Sequence, residues 1–252
     1  MNHQKRTALV TGASRGIGRA VALRLAEDGI RIALHFNRNH TAAKKNLSQL
    51  KGKGHELFRG DFSDSESIKI LSDTVIERMD SINILVNNAG IYDFHDPAGL
   101  SFDEWRKIWD KMLQVNLTGP AHLSFLVSKH MIEHGGGKII NISSRGAFRG
   151  EPRAPAYGAA KAGLNAMGQS FAQSLAPYHV YVYTIAPGYI ETDMTKAHLQ
   201  GPEGEAIRGQ SPLNRAGRPE EVAEVVAFLA GGKTDYLTGT IIDVNGASYL
   251  RT

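Results

Sequence analysis

The chain has 252 residues, 42% of them hydrophobic and 21% charged, a balance that excludes a disordered or fibrous polymer and suits a chain able to bury a full core. Its formal charge of +4 is spread among acids, so no dense basic stripe marks a nucleic-acid partner, while anionic small molecules stay open. Cysteine is absent, which excludes a disulfide framework and a thiolate nucleophile and would leave zinc only histidines and carboxylates.

Met1 to Arg6 run directly into Ala8-Leu9-Val10, leaving no room for an export signal, and no apolar stretch approaches the roughly 20 residues needed to cross a bilayer. A soluble, cytoplasmic protein without a membrane partner is expected. Short β-branched runs then alternate with longer amphipathic ones. In chain order the pattern predicts strand Thr7–Thr11, helix Gly16–Asp28, strand Arg31–Phe36, helix Thr41–Leu50, strand His55–Gly60, helix Ser65–Met79 and strand Ile82–Asn87. It continues with helix Phe102–Met131, strand Lys138–Ile142, helix Ala156–Ala176, strand Val180–Ile185, helix Pro219–Ala230 and strand Thr240–Val244. The expected architecture is α/β: a doubly wound parallel sheet (Rossmann fold) of about seven strands, with helices on both faces and ligand chemistry at the strand carboxyl ends. Residues 1–252 read as one domain. The Gly-, Pro- and charge-rich segment 191–218 lacks a strand pattern and reads as a substrate lid with short helices.

Directly after the first strand comes Thr11-Gly12-Ala13-Ser14-Arg15-Gly16-Ile17-Gly18 and then a helix-forming run. Glycines allow a tight turn and close approach of backbone N–H groups to a pyrophosphate at a helix start, which points to a dinucleotide; a plain glycine-rich turn is the competing reading. The second strand ends His35-Phe36-Asn37-Arg38. No acid stands there for a ribose hydroxyl, and Arg38 with Arg15 can clamp a 2′-phosphate, which favours NADP(H) over NAD; two solvated arginines are the alternative. On this reading an acid at position 36 with a neutral residue at 38 reverses the preference.

Tyr157 and Lys161 lie four apart on a predicted helix, so both side chains share a face, and an ammonium beside a phenol favours the phenolate. Ser144 ends the fifth strand, where a hydroxyl can hydrogen-bond to a substrate oxygen as charge develops. Strand alternation turns its neighbour Ser143 away.

Taken together, Thr11-Gly12-x-x-x-Gly16-x-Gly18, Asp61-Phe62, Asn87-Asn88-Ala89-Gly90, Asn116, Ser144, Tyr157-x-x-x-Lys161 and Pro187-Gly188-x-x-x-Thr192 resemble the short-chain dehydrogenase/reductase family, from about Thr7 to Tyr249. The resemblance implies an NADP(H)-dependent oxidoreductase moving a hydride between nicotinamide and a carbonyl or alcohol carbon. It makes Tyr157 the general acid for reduction or base for oxidation, gives Lys161 the nicotinamide ribose, lets Ser144 orient the carbonyl, and lets Asn116 hold a water linking Lys161 to solvent. It also sets Asp61 on the adenine amino group, Phe62 beside the adenine, and Asn88, followed by Ala89 and Gly90, along the adenine ribose. Pro187, Gly188, Ile190 and Thr192 would face the nicotinamide carboxamide. It implies a homotetramer that buries the Tyr157–Lys161 helix and the last strand.

Among branches of the family the chain most resembles the 3-oxoacyl-thioester reductases, whose relatives act on other ketones, sugars and alcohols. The positions where carrier-protein users often carry arginine read His134-Gly135-Gly136-Gly137-Lys138 and Ala176-Pro177-Tyr178-His179, which weakens the case for acyl carrier protein. Arg145, Arg149 and Arg153 are either receptors for an anionic substrate or solvated loop residues. Two other function classes compete. An NADP-binding sensor or scaffold would be favoured by loss of Tyr157 or Lys161, and both are present; a metal-dependent hydrolase would need a clustered motif such as His-Glu-x-x-His, which is missing.

Overall fold

A computed structural model describes residues 6–251. The first strand, β1 (Thr7–Val10), leads through α1 (Gly16–Glu27) to β2 (Arg31–Phe36), then α2 (His40–Leu47), β3 (Glu56–Arg59), α3 (Ser65–Met79) and β4 (Ile84–Asn87). The second half runs α4 (Phe102–Leu113), a π-helical turn (Gln114–Thr118), α5 (Gly119–Glu133), β5 (Gly137–Ile142), α6 (Gly146–Arg149), α7 (Pro155–Leu175) and β6 (Val180–Pro187). It closes with α8 (Asp193–Gln200), α9 (Gly204–Gly209), α10 (Pro219–Ala230) and β7 (Ile241–Val244).

All seven strands pair in parallel in the order β3-β2-β1-β4-β5-β6-β7. The order reverses between β1 and β4, and the crevice outside the carboxyl ends of those two strands is where ligands of such sheets bind. Each face is covered. Val10, Leu34, Val86 and Ile140 pack under α1 and α10, while Leu9, Leu85, Ile139 and Val182 pack under α3, α5 and α7. This two-sided burial is why the strands read as near-continuous apolar runs.

Caps set the helix starts. Asp64 accepts from the Glu66 N–H at 3.0 Å ahead of α3, Ser101 and Glu104 form a capping box ahead of α4, and Pro155 and Pro219 occupy first-turn positions of α7 and α10, where a missing N–H costs nothing. The helix expected over Phe102–Met131 is one rod interrupted by the π-helical turn, and segment 191–218 folds into α8, α9 and a parallel bridge between Ile190 and Gly217. Among the described residues no helix is long and apolar enough to cross a membrane.

Candidate active site

The glycine turn between β1 and α1 places Gly12 at φ 65° and Gly16 at φ 54°, in the left-handed region that glycine adopts without strain. It is held from behind by a residue that the motif alone does not reveal. The Gly12 N–H donates to His35 Nδ1 at 3.0 Å, and His35 Nε2 faces the Gly60 carbonyl at 3.2 Å. Burial pushes His35 down to about 4, so the ring is neutral, with its proton on Nε2 and Nδ1 free to accept. From the β4 side, the Asn88 amide donates to the Thr11 and Gly12 carbonyls at 2.8 and 3.2 Å, and the Thr11 hydroxyl accepts from the Asn88 and Ala89 N–H groups, both at 2.9 Å. Ser14 lies in the turn with its carbonyl held by the Asn46 amide. Arg15 precedes α1 without a side-chain cap, and no acid stands in the first turn, so the leading N–H groups around Gly16 and Ile17 are left for an anion, with Gly18 buried below them. These residues fit a dinucleotide pyrophosphate.

Beside the turn, the ends of β2 and β3 meet. Asp61 accepts from the Ser63 hydroxyl and N–H at 2.6 and 2.9 Å, which holds its carboxyl below the usual range, and Asn37 and Arg38 add to that effect. Phe62 is buried against His35, with ring centroids 5.2 Å apart. Arg38 is exposed, and Arg15 forms an exposed ion pair with Asp193 at 3.9 Å. One expectation needs correcting. Phe36 is 6% exposed and belongs to the core, so an acid placed there would be a buried charge; the half-buried edge position is Asn37.

Ser144, Tyr157 and Lys161 converge beyond the end of β5. The Ser144 hydroxyl accepts from the Gly146 N–H at 3.0 Å and faces the Tyr157 phenol, whereas Ser143 points to the Lys161 carbonyl at 3.2 Å. Lys161 is buried, and its ammonium donates to the Ile142 carbonyl at 2.8 Å. Burial pushes Tyr157 up to about 12, with Ser144 pulling it back, and pushes Lys161 down to about 8. The lowered phenol expected from the Tyr-x-x-x-Lys spacing is therefore not what this geometry gives. Desolvation outweighs the ammonium, which sits 5.7 Å from the tyrosine ring centroid and is occupied by Ile142.

Asn116 occupies the π-helical turn, fully buried. Its amide donates to the Ile91 carbonyl at 3.1 Å, and its Oδ1 accepts from the Ile91 N–H at 3.0 Å. Gly90 permits this approach, since a Cβ there would lie 2.8 Å from Asn116 Oδ1. Pro120, four residues on, has no N–H to offer the Asn116 main-chain carbonyl. The Asn116 side-chain amide is taken up by Ile91 and Met112.

Pro187 ends β6, the Gly188 N–H donates to Val244 at 3.0 Å, Ile190 is buried, and Thr192 opens α8 against Gly16. The three arginines after Ser144 are neither free receptors nor simply solvated. Arg145 and Arg149 both donate to Gln210, and Arg153 pairs with Glu203 at 3.0 Å and covers the Phe94 ring at 4.2 Å. All three tie segment 191–218 to the loop that carries the site. Motif reading also missed the aromatic wall: Tyr92 meets the Tyr157 ring edge-on at 4.9 Å, and Phe94 and His198 lie beyond it. Only the fold brings these dispersed residues together.

Comparison with known proteins identifies the family and the fold. The family profile described as short chain dehydrogenase matches residues 6–203. The chain is 37% identical over 247 residues to a 3-oxoacyl-[acyl-carrier-protein] reductase of Staphylococcus aureus, covering 97% of this chain and 98% of that one. It is 39% identical over 251 residues to the enzyme of the same name from Vibrio harveyi, covering 99% and 100%. Among solved structures, a putative gluconate dehydrogenase from Agrobacterium tumefaciens superposes with a TM-score of 0.90 at 32% identity, over 96% of this chain and 95% of that one. A dehydrogenase/reductase from Sinorhizobium meliloti gives 0.89 at 31%, over 97% and 95%. Matched by the family profile over residues 6–203 and by relatives 37% and 39% identical over almost the whole chain, this protein belongs to the short chain dehydrogenase family and is an oxidoreductase.

Proposed function

We propose that the protein reduces a carbonyl to an alcohol with NADPH, the carbonyl belonging to a 3-oxoacyl thioester or another small ketone. The observation that carries this reading is the convergence of Ser144, Tyr157 and Lys161 at the sheet's carboxyl edge, next to a glycine turn with an uncapped helix start. Bound NADPH supplies the hydride. The Tyr157 phenol, protonated up to about 12, gives its proton to the substrate oxygen, and the Ser144 hydroxyl donates to the same oxygen as charge develops. Lys161 lends positive charge beside the phenol and holds the nicotinamide ribose, and a water on the Asn116 carbonyl returns the proton from solvent. Gly12 to Gly18 cradle the pyrophosphate, Asp61, Phe62 and Asn88 to Gly90 line the adenosine half, and Pro187, Gly188, Ile190 and Thr192 bound the nicotinamide. Segment 191–218 acts as the substrate lid. Four copies assemble, covering the outer edge of β7, where Tyr236 and Leu250 stand exposed. A cysteine-free chain suits a cytoplasmic setting. The test is a panel of ketones, thioesters and alcohols followed by NADPH absorbance; no turnover with any of them, despite tight NADPH binding, would favour a sensor or scaffold instead.

The pH profile follows from the two buried groups. Tyr157 stays protonated across the working range, so the alkaline limb of reduction belongs to Lys161, and kcat is expected to fall as pH rises through about 8. Stability has the opposite sign. Between about 8 and 10.5 the folded chain holds fewer protons at Lys161 than the unfolded chain, so the cost of burying the ammonium fades as pH rises through that window. A reduction rate flat to pH 10, with chemistry rate-limiting, would remove Lys161 from this role.

Cofactor choice is tested at the β2 edge. Each charged contact from Arg15 or Arg38 to a 2′-phosphate is worth about 1.5–3 kcal/mol before exposure reduces it, so NADPH is expected to bind at least ~10-fold better than NADH at low salt. Changing Asn37→Asp together with Arg38→Ser should reverse the order, because a carboxylate accepts from a ribose hydroxyl and repels a phosphate. Equal binding of both cofactors by the unaltered protein would sink the assignment.

A further inference from the structure

The catalytic loop holds a carboxylate that the proposed mechanism does not use. Glu151 follows Gly150, a glycine at φ 78°, and its side chain folds back onto the bare Cα of Gly146. A Cβ on Gly146 would lie 2.7 Å from Glu151 Cγ and 2.9 Å from its Cδ, so the glycine is a seat for this acid. The same Gly146 donates its N–H to Ser144, and Glu151 also borders Gly158, the neighbour of Tyr157, whose phenol feels its charge.

Nothing among the described residues satisfies it. Glu151 is half-buried, and burial pushes its carboxyl up while Arg149 and Arg145 pull it back only through space, without a hydrogen bond. Those two arginines are engaged with Gln210, and Arg153 with Glu203. Tyr189, under the Arg145 guanidinium at 5.1 Å, and Tyr92, against Tyr157, supply the neighbouring walls.

We propose that Glu151 is a substrate-recognition residue, and that the compound reduced is a small ketone carrying a hydroxyl group close to the reacting carbonyl. The inference rests on the carbonyl-reduction reading above and narrows its substrate class. An ionised carboxylate only accepts hydrogen bonds, so the ligand must bring the donor. A methylene chain laid against it would keep water away and leave it unpaired, at a cost that argues against a long acyl group. An ammonium group would also donate, but it would have to sit near the charges of Arg145 and Arg149. A neutral hydroxyl meets the carboxylate without that repulsion.

The test compares 2-hydroxycyclohexanone with cyclohexanone, and both with a 3-oxobutanoyl N-acetylcysteamine thioester, as substrates for the full chain with NADPH. In the unaltered protein kcat/KM for the hydroxylated ketone is expected to exceed that for its deoxy partner at least ~10-fold, since a site built around a substrate hydroxyl discriminates strongly against its absence. Glu151→Leu should bring the ratio towards one, and Glu151→Gln, which keeps an acceptor, should retain part of it. NADPH-induced thermal stabilisation of each variant reports that the fold and cofactor site are intact. A ratio near one in the unaltered protein, a ratio unmoved by Glu151→Leu, or a preference for the thioester would overturn the proposal while leaving carbonyl reduction standing. No NADPH consumption with any of the three would overturn both.

Discussion

Replacing Tyr157 by Phe is expected to lower kcat for carbonyl reduction by about 10²–10⁴-fold, the usual worth of a positioned general acid. The ring would keep its edge-on contact with Tyr92, and its packing over Lys161 would remain, so NADPH affinity should change little. What is lost is the one proton that the site holds firmly, on a phenol kept neutral up to about 12. Steady-state rates with cofactor affinity measured in parallel separate the two effects. Near-normal turnover in the variant, with chemistry shown to be rate-limiting, would mean that the proton comes from elsewhere.

The second large effect lies in the turn. A Cβ at Gly18 would stand 2.5 Å from the Gly12 carbonyl and 3.0 Å from Ala13 Cα, and would also collide with the Asn88 amide. Two of those neighbours are backbone, so relief requires the glycine turn itself to move. Gly18→Ala should therefore cost about 1–3 kcal/mol, as overpacking usually does. For a chain of this size each of those kcal/mol lowers Tm by about 2–4 °C. Cofactor affinity should fall as well, because the displaced groups are those that shape the pyrophosphate cradle. Gly99→Ala is the control, since nothing lies within 4 Å of its Cβ position. A Gly18→Ala protein with unchanged melting and NADPH binding would show the turn to be slack.

Much of this was legible in the chain because it is written locally. Apolar runs such as Ile84–Val86 mark strands covered on both faces, and Asp64, Ser101 and Pro219 announce helix starts within a few residues of where they occur. The glycine turn and the Tyr157–Lys161 pair are equally local. What escaped depends on distance. Phe36 and Asn37 differ by one residue on a strand, and only the α2 side of the sheet decides which is core. Arg145, Arg149 and Arg153 look alike in sequence, but their partners Gln210 and Glu203 come from a segment far along the chain. Tyr157 and Lys161 satisfy a spacing rule, yet their proton affinities are set by how deeply α7 is buried, which spacing does not report. Glu151 gains meaning only from the bare Cα of Gly146 beneath it.

The π-helical turn explains why the segment from Phe102 onward looked like one amphipathic helix. From Trp105 to Met131 an uninterrupted α-helix would drift out of phase by roughly 80°, whereas one looped-out residue brings the two ends back to within about 20°. The inserted residue places Asn116 in the interior, and Leu123, Val127 and Met131 follow as the buried stripe of α5. It follows that removing the extra residue should be felt locally. Deleting one residue between Gln114 and Thr118 would let the ordinary helical ladder close while leaving everything downstream in its present phase. The damage would then appear at Asn116, whose buried position belongs to the π-helical turn, while Met131 beneath the sheet would keep its place.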